Sequence, residues 1–210
     1  MTYRVIDLTV YPRRAHFEHF MAMPQPFVGV TVNVDVTGLR AECRARGASF
    51  TLAFLHAAAL AANAVPELRQ RVRDGGIVEY DACGTSHIEL LADGTYGYCT
   101  LWHDRDWDAY LPYAEAERRA CVADGSIAED ADVDALYFVT CLPGLRFTDF
   151  IQPTDPAVSN PHISWGRFEP GLQGRWTMPV NLLAHHALVD GVHMTAFFRE
   201  LEARLAVFRA

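Results

Sequence analysis

The chain has no lysine. All 18 of its basic residues are arginine, so Schiff-base chemistry and a lysine general base are excluded, and cationic contacts fall to guanidinium groups that stay protonated. Acidic residues outnumber them and leave a net charge of −8. That balance argues against a nucleic-acid or anionic-membrane partner, both of which favour a basic face. Cysteine is sparse: Cys43, Cys83, Cys99, Cys121 and Cys141 are odd in number, spread singly, and form no C-x-x-C pair. Neither a zinc site nor a disulfide framework is signalled, and the five read as reduced, mostly buried thiols. Long apolar runs are missing too. No stretch approaches the ~20 apolar residues of a membrane span, and the opening MTYRVIDLTVYPRR has no signal-peptide core. A soluble, cytoplasmic protein is expected, with a small molecule or a protein as its partner.

Half of the 210 residues are hydrophobic, enough for a sizeable core in one domain spanning 1–210. FVGVTVNVDV (27–36) alternates at period two and predicts a half-buried strand. TGLRAECRARG predicts a short helix that starts near Thr37 as a cap and stops at Gly47. SFTLAFLHAAALAANAVPELRQ is apolar on most faces, which predicts a buried helix ending near Pro66, with His56 as a core histidine. Strands are expected at GIVEY, TYGYCTLW and ALYFVTCL, a helix in WDAYLPYAEAERRACVADG, and a loop in the acidic SIAEDADVD. PHISWGRF and WTMPVNLLAHH flank EPGLQG, whose Pro and Gly suit the turn of a long β-hairpin. VHMTAFFRELEARLAVF repeats apolar residues at helical spacing and closes the chain as a helix. No repeat or low-complexity linker interrupts the pattern. The fold class is α/β or α+β.

The segment LLAHHALVDGVHMTAFF (182–198) places two adjacent histidines before Asp190 and Gly191 in an otherwise apolar run. In a strand ending at AHH, His185 and His186 point to opposite faces, so one can project into a cleft while the other packs. A general base for oxygen or nitrogen acylation needs to titrate near neutral pH, and a histidine held by a fixed partner meets that need. Asp190, before Gly191 at a strand-to-helix turn, fixes the local backbone or orients a neighbouring cation.

His-His-x-x-x-Asp-Gly at 185–191 resembles the active-site signature of the chloramphenicol acetyltransferase superfamily, which also includes dihydrolipoyl acyltransferase cores and peptide-synthetase condensation domains. YPRRAHFEHF, VPELRQRVRDGGIVEYD and PHISWGRF are similar, in the same order, to stretches of the chloramphenicol acetyltransferases themselves. The resemblance thus covers nearly the whole chain, and a length of 210 residues suits that branch. It implies a two-layer α+β sandwich with a mixed sheet packed with helices, assembled as a homotrimer with each active site between subunits. It implies acetyl-coenzyme A as co-substrate, no permanently bound cofactor, a small-molecule acceptor such as chloramphenicol, and hence antibiotic resistance. By position, His186 matches the general base that takes the acceptor's proton while its oxygen attacks the thioester. Asp190 is then structural, held by Arg13. Tyr98 falls where an aromatic meets the acceptor, and Arg167 and Phe168 fall where a basic and an aromatic residue approach coenzyme A.

One position departs from the resemblance. Where the family carries a serine whose hydroxyl donates to the tetrahedral oxyanion, in a strand, RFTDF places Asp149. An ionised carboxylate there repels the oxyanion, and losing one such donor costs ~10²–10³ in rate. Three readings stay open: Thr148 donates through a bulge or slipped register, Asp149 stays protonated in an apolar pocket and donates, or Asp149 binds the ammonium of an amine acceptor. Ser164, matching a family hydroxyl that holds a water near the oxyanion, is available in each. Two rival functions follow: acyl transfer to an amine or other acceptor in a biosynthetic pathway, with free coenzyme A or a carrier protein as donor, and a catalytically impaired trimer that only binds a ligand. No metal is expected. His16 and His19 stand at i, i+3 but not in H-E-x-x-H, the pair at 185 and 186 diverges, and His193 stands apart.

Overall fold

The computed structural model describes residues 2–128 and 132–208. Its organising element is the last strand, β10 (Trp176–His185), which pairs antiparallel with β2 (Phe27–Asp35) along nine positions. On its other edge β10 pairs with β8 (His162–Trp165) and with the two-residue β9 (Glu169–Pro170). β7 (Leu136–Cys141), β5 (Gly84–Leu90) and β6 (Tyr96–Leu101) extend the sheet in the order β2-β10-β8-β7-β5-β6. The β5–β7 and β7–β8 pairs are parallel and the rest antiparallel, so the sheet is mixed. A separate three-stranded sheet holds β1 (Tyr3–Ile6), β4 (Gly76–Tyr80) and β3 (Gln70–Arg73). Buried Arg71 ties it to the main sheet by donating to the Leu136 and Asp134 carbonyls.

Among the described residues five α-helices complete the fold: α1 (Arg14–Met21), α2 (Thr37–Arg46), α3 (Phe50–Asn63), α4 (Trp107–Asp124) and α5 (Gly191–Leu205). Strand periodicity sorts the side chains of the main sheet. Val180, Leu182 and Ala184 of β10, with Ile163 and Trp165 of β8 and Val34 of β2, form the apolar face. The helices cover it: Phe54 of α3 meets Trp165 edge-on at 5.0 Å, and α3 packs along α5. The opposite parity carries polar groups instead. Thr31, Asn181, Ser164 and Thr140 stand in register across β2, β10, β8 and β7.

The expected helices at 37–46, 50–63, 107–124 and 191–205 and the expected strands at 27–35, 76–80, 96–101 and 136–141 are all present. The hairpin is present with an interruption, because β8 and β9 are separate strands that share β10 as partner. Three expectations are corrected. Thr37 opens α2 as its first residue and does not cap it; its hydroxyl donates to Asp35 and accepts from the Trp176 N–H, tying α2 to the sheet. Part of the acidic loop is a 3₁₀ turn, Val133–Ala135, while 129–131 of that loop lie outside the described residues. RFTDF lies in a loop running from 142 to 161, not in a strand, and both Thr148 and Asp149 are exposed. The strands β1, β3 and β5 and the helix α1 carry no matching expectation. All five cysteines are free, three of them buried.

Candidate active site

The site forms where β10 ends and α5 begins. β10 brings His185 and His186 to the rim of the sheet, and the turn Ala187–Asp190 carries the chain into the helix. His185 is buried with its ring edge-on to Phe27 at 5.4 Å, and its Nδ1 accepts from the Ala187 N–H. Desolvation pushes its imidazole down to about 4, with His186 adding to the shift, so His185 is a neutral packing residue near pH 7.

His186 is half-buried and differently held. Its backbone N–H donates to the Pro26 carbonyl. Its ring stacks on Phe20 of α1, centroids 3.8 Å apart and 22° from parallel. Its Nδ1–H donates to the Val189 carbonyl at 2.9 Å. A carbonyl only accepts, so this bond places a proton on Nδ1, and in the neutral imidazole the lone pair is then on Nε2, the tautomer a general base requires.

Asp190 holds the turn that supplies that carbonyl. It is the N-cap of α5, accepting from the Val192 N–H at 3.1 Å, and its own backbone N–H donates to His193 Nδ1. Arg13 meets its other oxygen at 3.0 Å and donates to the Leu188 carbonyl with its second nitrogen. One guanidinium thus ties α1, the turn and the helix cap together. Burial acts to raise the Asp190 carboxyl, and His193, the Val192 N–H and Arg13 outweigh it, leaving the group below the usual aspartate range. The expected contact of Arg13 with Asp190 is present. The stacking of Phe20, the role of the Val189 carbonyl and the contribution of His193 carry no sequence signal, because each depends on where the chain folds back.

The second part of the site lies on the polar face of the sheet, around a cavity of about 350 Å³. Tyr98, Phe138, Thr140, Gln152 and His162 line it. Ser164, fully buried beside it, accepts from Gln152 Nε2 at 2.8 Å, and the Thr140 hydroxyl donates to Gln152 Oε1 at 3.2 Å. Sequence reasoning placed Tyr98 and Ser164 here and missed Gln152, a lone amide in a loop with no periodicity. Asp149 and Thr148 do not line this cavity within the chain; the Asp149 carboxylate accepts its own neighbour's Phe150 N–H at 2.8 Å. A second cavity, of about 220 Å³, lies beside Arg167, Phe168, Phe50, Thr51 and Cys141. Arg167 pairs with Glu169 at 2.6 Å, and Phe168 packs against Phe50 and Trp176. Among the described residues no group of three or more His, Cys, Asp or Glu is arranged to hold a metal ion. None of the described helices is long and apolar enough to cross a membrane.

With this geometry in place, comparison with known proteins gives the family. The family model for chloramphenicol acetyltransferase matches residues 1–202. The chain belongs to the chloramphenicol acetyltransferase family. It is an enzyme of the acetyltransferase class. It is 28% identical over 211 aligned positions to a chloramphenicol acetyltransferase of Escherichia coli, covering 95% of this chain and 92% of that one. A solved chloramphenicol acetyltransferase superposes with a TM-score of 0.84 at 27% identity, covering 97% of this chain and all of that one. The dihydrolipoamide acetyltransferase of Azotobacter vinelandii shares the fold alone, with a TM-score of 0.66 at 17% identity over 91% of this chain and 86% of that one.

Proposed function

We propose that the protein, as a single domain over 1–210, transfers an acetyl or other short acyl group from acetyl-coenzyme A to a hydroxyl of a small molecule, with chloramphenicol as the default acceptor. On that reading it confers antibiotic resistance and works in the cytoplasm. The observation that carries the mechanism is the Nδ1–H bond of His186 to Val189. Nε2 takes the acceptor's proton as its oxygen attacks the thioester carbonyl. The tetrahedral intermediate collapses with cleavage of the C–S bond, and His186 returns the proton to the departing thiolate. Arg13 and Asp190 position the base through the turn. Tyr98 meets the acceptor, and Arg167 and Phe168 meet coenzyme A.

We place each complete site between two copies of the chain in a homotrimer. Ser164 stands beside Asn181, five residues before His186. At the rise of an extended strand that is about 17 Å, too far for one copy's base to reach its own hydroxyl-lined cavity. A neighbouring copy supplies the missing half. The rival readings, an amine acceptor or a binding-only protein, draw on the carboxylate of Asp149 where the family has serine.

The test is thiol release from acetyl-coenzyme A with chloramphenicol and a panel of hydroxyl and amine acceptors. His186→Ala is expected to lose nearly all turnover with an unchanged melting temperature. A His186→Ala protein that keeps most of its activity contradicts this mechanism. Turnover restricted to amine acceptors redirects the substrate assignment, and binding without turnover by the unaltered protein supports the binding-only reading.

A further inference from the structure

The acyl-transfer reading leaves one group unaccounted for. A tetrahedral intermediate carries a full negative charge on the former carbonyl oxygen, and a site that speeds its formation aims a fixed donor at that oxygen. The residue at the family's serine position, Asp149, lies exposed in the 142–161 loop with its carboxylate turned to its own Phe150 N–H, so it offers no donor there. Three residues further along the same loop, Gln152 reaches into the 350 Å³ cavity.

Resting on that reading, we propose that the side-chain amide of Gln152 is the oxyanion donor, a catalytic residue standing in for the missing serine hydroxyl. Three observations support it. First, the amide is held at both ends: Oε1 accepts from Thr140 at 3.2 Å, and Nε2 donates one hydrogen to Ser164 at 2.8 Å. Thr140 and Ser164 face each other in register on parallel strands, so the amide bridges two rigid elements although its own backbone is a loop. Secondly, Nε2 carries two hydrogens. The second meets no acceptor among the described residues, and the residue lines the cavity together with Tyr98 and His162. Thirdly, Ser164 is fully buried, so the bond that fixes Gln152 Nε2 is shielded from competing water.

The step balances without any further group. The partner copy's base removes the acceptor proton, the acceptor oxygen forms its bond to the carbonyl carbon, and the carbonyl π pair moves to oxygen. The free Nε2–H of Gln152 donates to that oxygen until the C–S bond breaks. An amide serves because it stays neutral and its donor is fixed in advance, so no reorganisation is required as the charge develops.

Steady-state kinetics with chloramphenicol and acetyl-coenzyme A test this in the full-length protein. Gln152→Ala is expected to lower kcat by ~10² while leaving the KM for acetyl-coenzyme A within about twofold, since the lost bond forms only in the transition state. Gln152→Glu keeps the shape and places an acceptor where a donor is required; it is expected to lose at least as much. If His186→Ala is inactive but Gln152→Ala and Gln152→Glu, both folded by circular dichroism, retain near-normal kcat, the oxyanion assignment is overturned while the acyl-transfer reading stands. If His186→Ala stays active, the reading and the assignment fall together.

Discussion

At the scale of single residues, two adjacent histidines of the same type have opposite chemistry because of what each one touches. His185 is buried and its imidazole is driven down to about 4, whereas His186 keeps a carbonyl on Nδ1 and an aromatic ring on its face. Asp190 is therefore expected to act through position and not as a proton carrier. Asp190→Asn keeps the helix cap but removes the charge that Arg13 meets. Its kcat should fall about tenfold or more as His186 loses its orientation. An unchanged rate in that assay would make Asp190 a turn residue only.

A second residue-scale consequence concerns acid. His56 and His103 face each other at 3.2 Å through their Nδ1 atoms under α3, with Thr85 on His103 Nε2. Desolvation lowers His56 to about 4 and holds His103 well below the ordinary histidine range; His162 and His185 are also lowered to about 4. A histidine whose folded pKa lies below its unfolded value near 6.5 binds more protons in the unfolded chain between those limits. Stability should thus fall as pH drops from about 6.5 toward 4 and be flat above that window. Melting temperatures measured from pH 8 to 4 check this, and His56→Phe should shallow the slope. A melting temperature independent of pH across the window would contradict it.

At the scale of elements, the working parts hang on strand ends and one loop, and Gly166 sets where that loop sits. A Cβ added there would meet the Leu145 carbonyl at 2.5 Å and Phe147 and Pro179 at 3.0 Å. The loop is held at that spot by Arg167 N–H donating to Leu145, and the strand by Gly166 N–H donating to Pro179. Gly166→Ala should cost about 1–3 kcal/mol by overpacking and also lower kcat, because it pushes the segment leading to Gln152 away from β8. Chemical denaturation and thiol-release kinetics on this one variant measure both.

Much of this element layout was legible from periodicity. β2, β6, β7 and the apolar run of α3 stand out because burial on one face, or on nearly all faces, imposes its pattern on sequence. β5 is harder to read: GTSHIEL buries polar Thr85, Ser86, His87 and Glu89, whose partners lie within the strand or on other elements. Glu89, for example, is satisfied by His87 and by Arg118 of α4. Among the described residues β1 and β3 pair with β4 alone, away from the main sheet, and exposed positions of β1 leave little apolar alternation to detect. Within the site, the motif marked His186, Asp190 and Arg13. Gln152 and Phe20 were not legible, because a loop amide and a ring on a short helix acquire meaning only through contacts distant in sequence.

At the scale of the whole molecule, the chain divides its chemistry. His186 stands just past the end of β10, and the amide and hydroxyl cluster stands about 17 Å back along the same strand at an extended rise. Helices cover the apolar face of the sheet, while the polar face carries the cluster. On the proposed reading a working site combines His186 of one copy with the cavity of the next. It is tested most directly by complementation between two inactive proteins, His186→Ala and the cavity-filling Thr140→Trp, co-expressed in equal amounts. Random mixing in a cyclic assembly gives about one quarter of sites an intact base opposite an intact cavity, so close to that share of normal turnover is predicted where each variant alone has none. No recovered activity in co-assembled mixed trimers would contradict the account and place the whole reaction within a single chain.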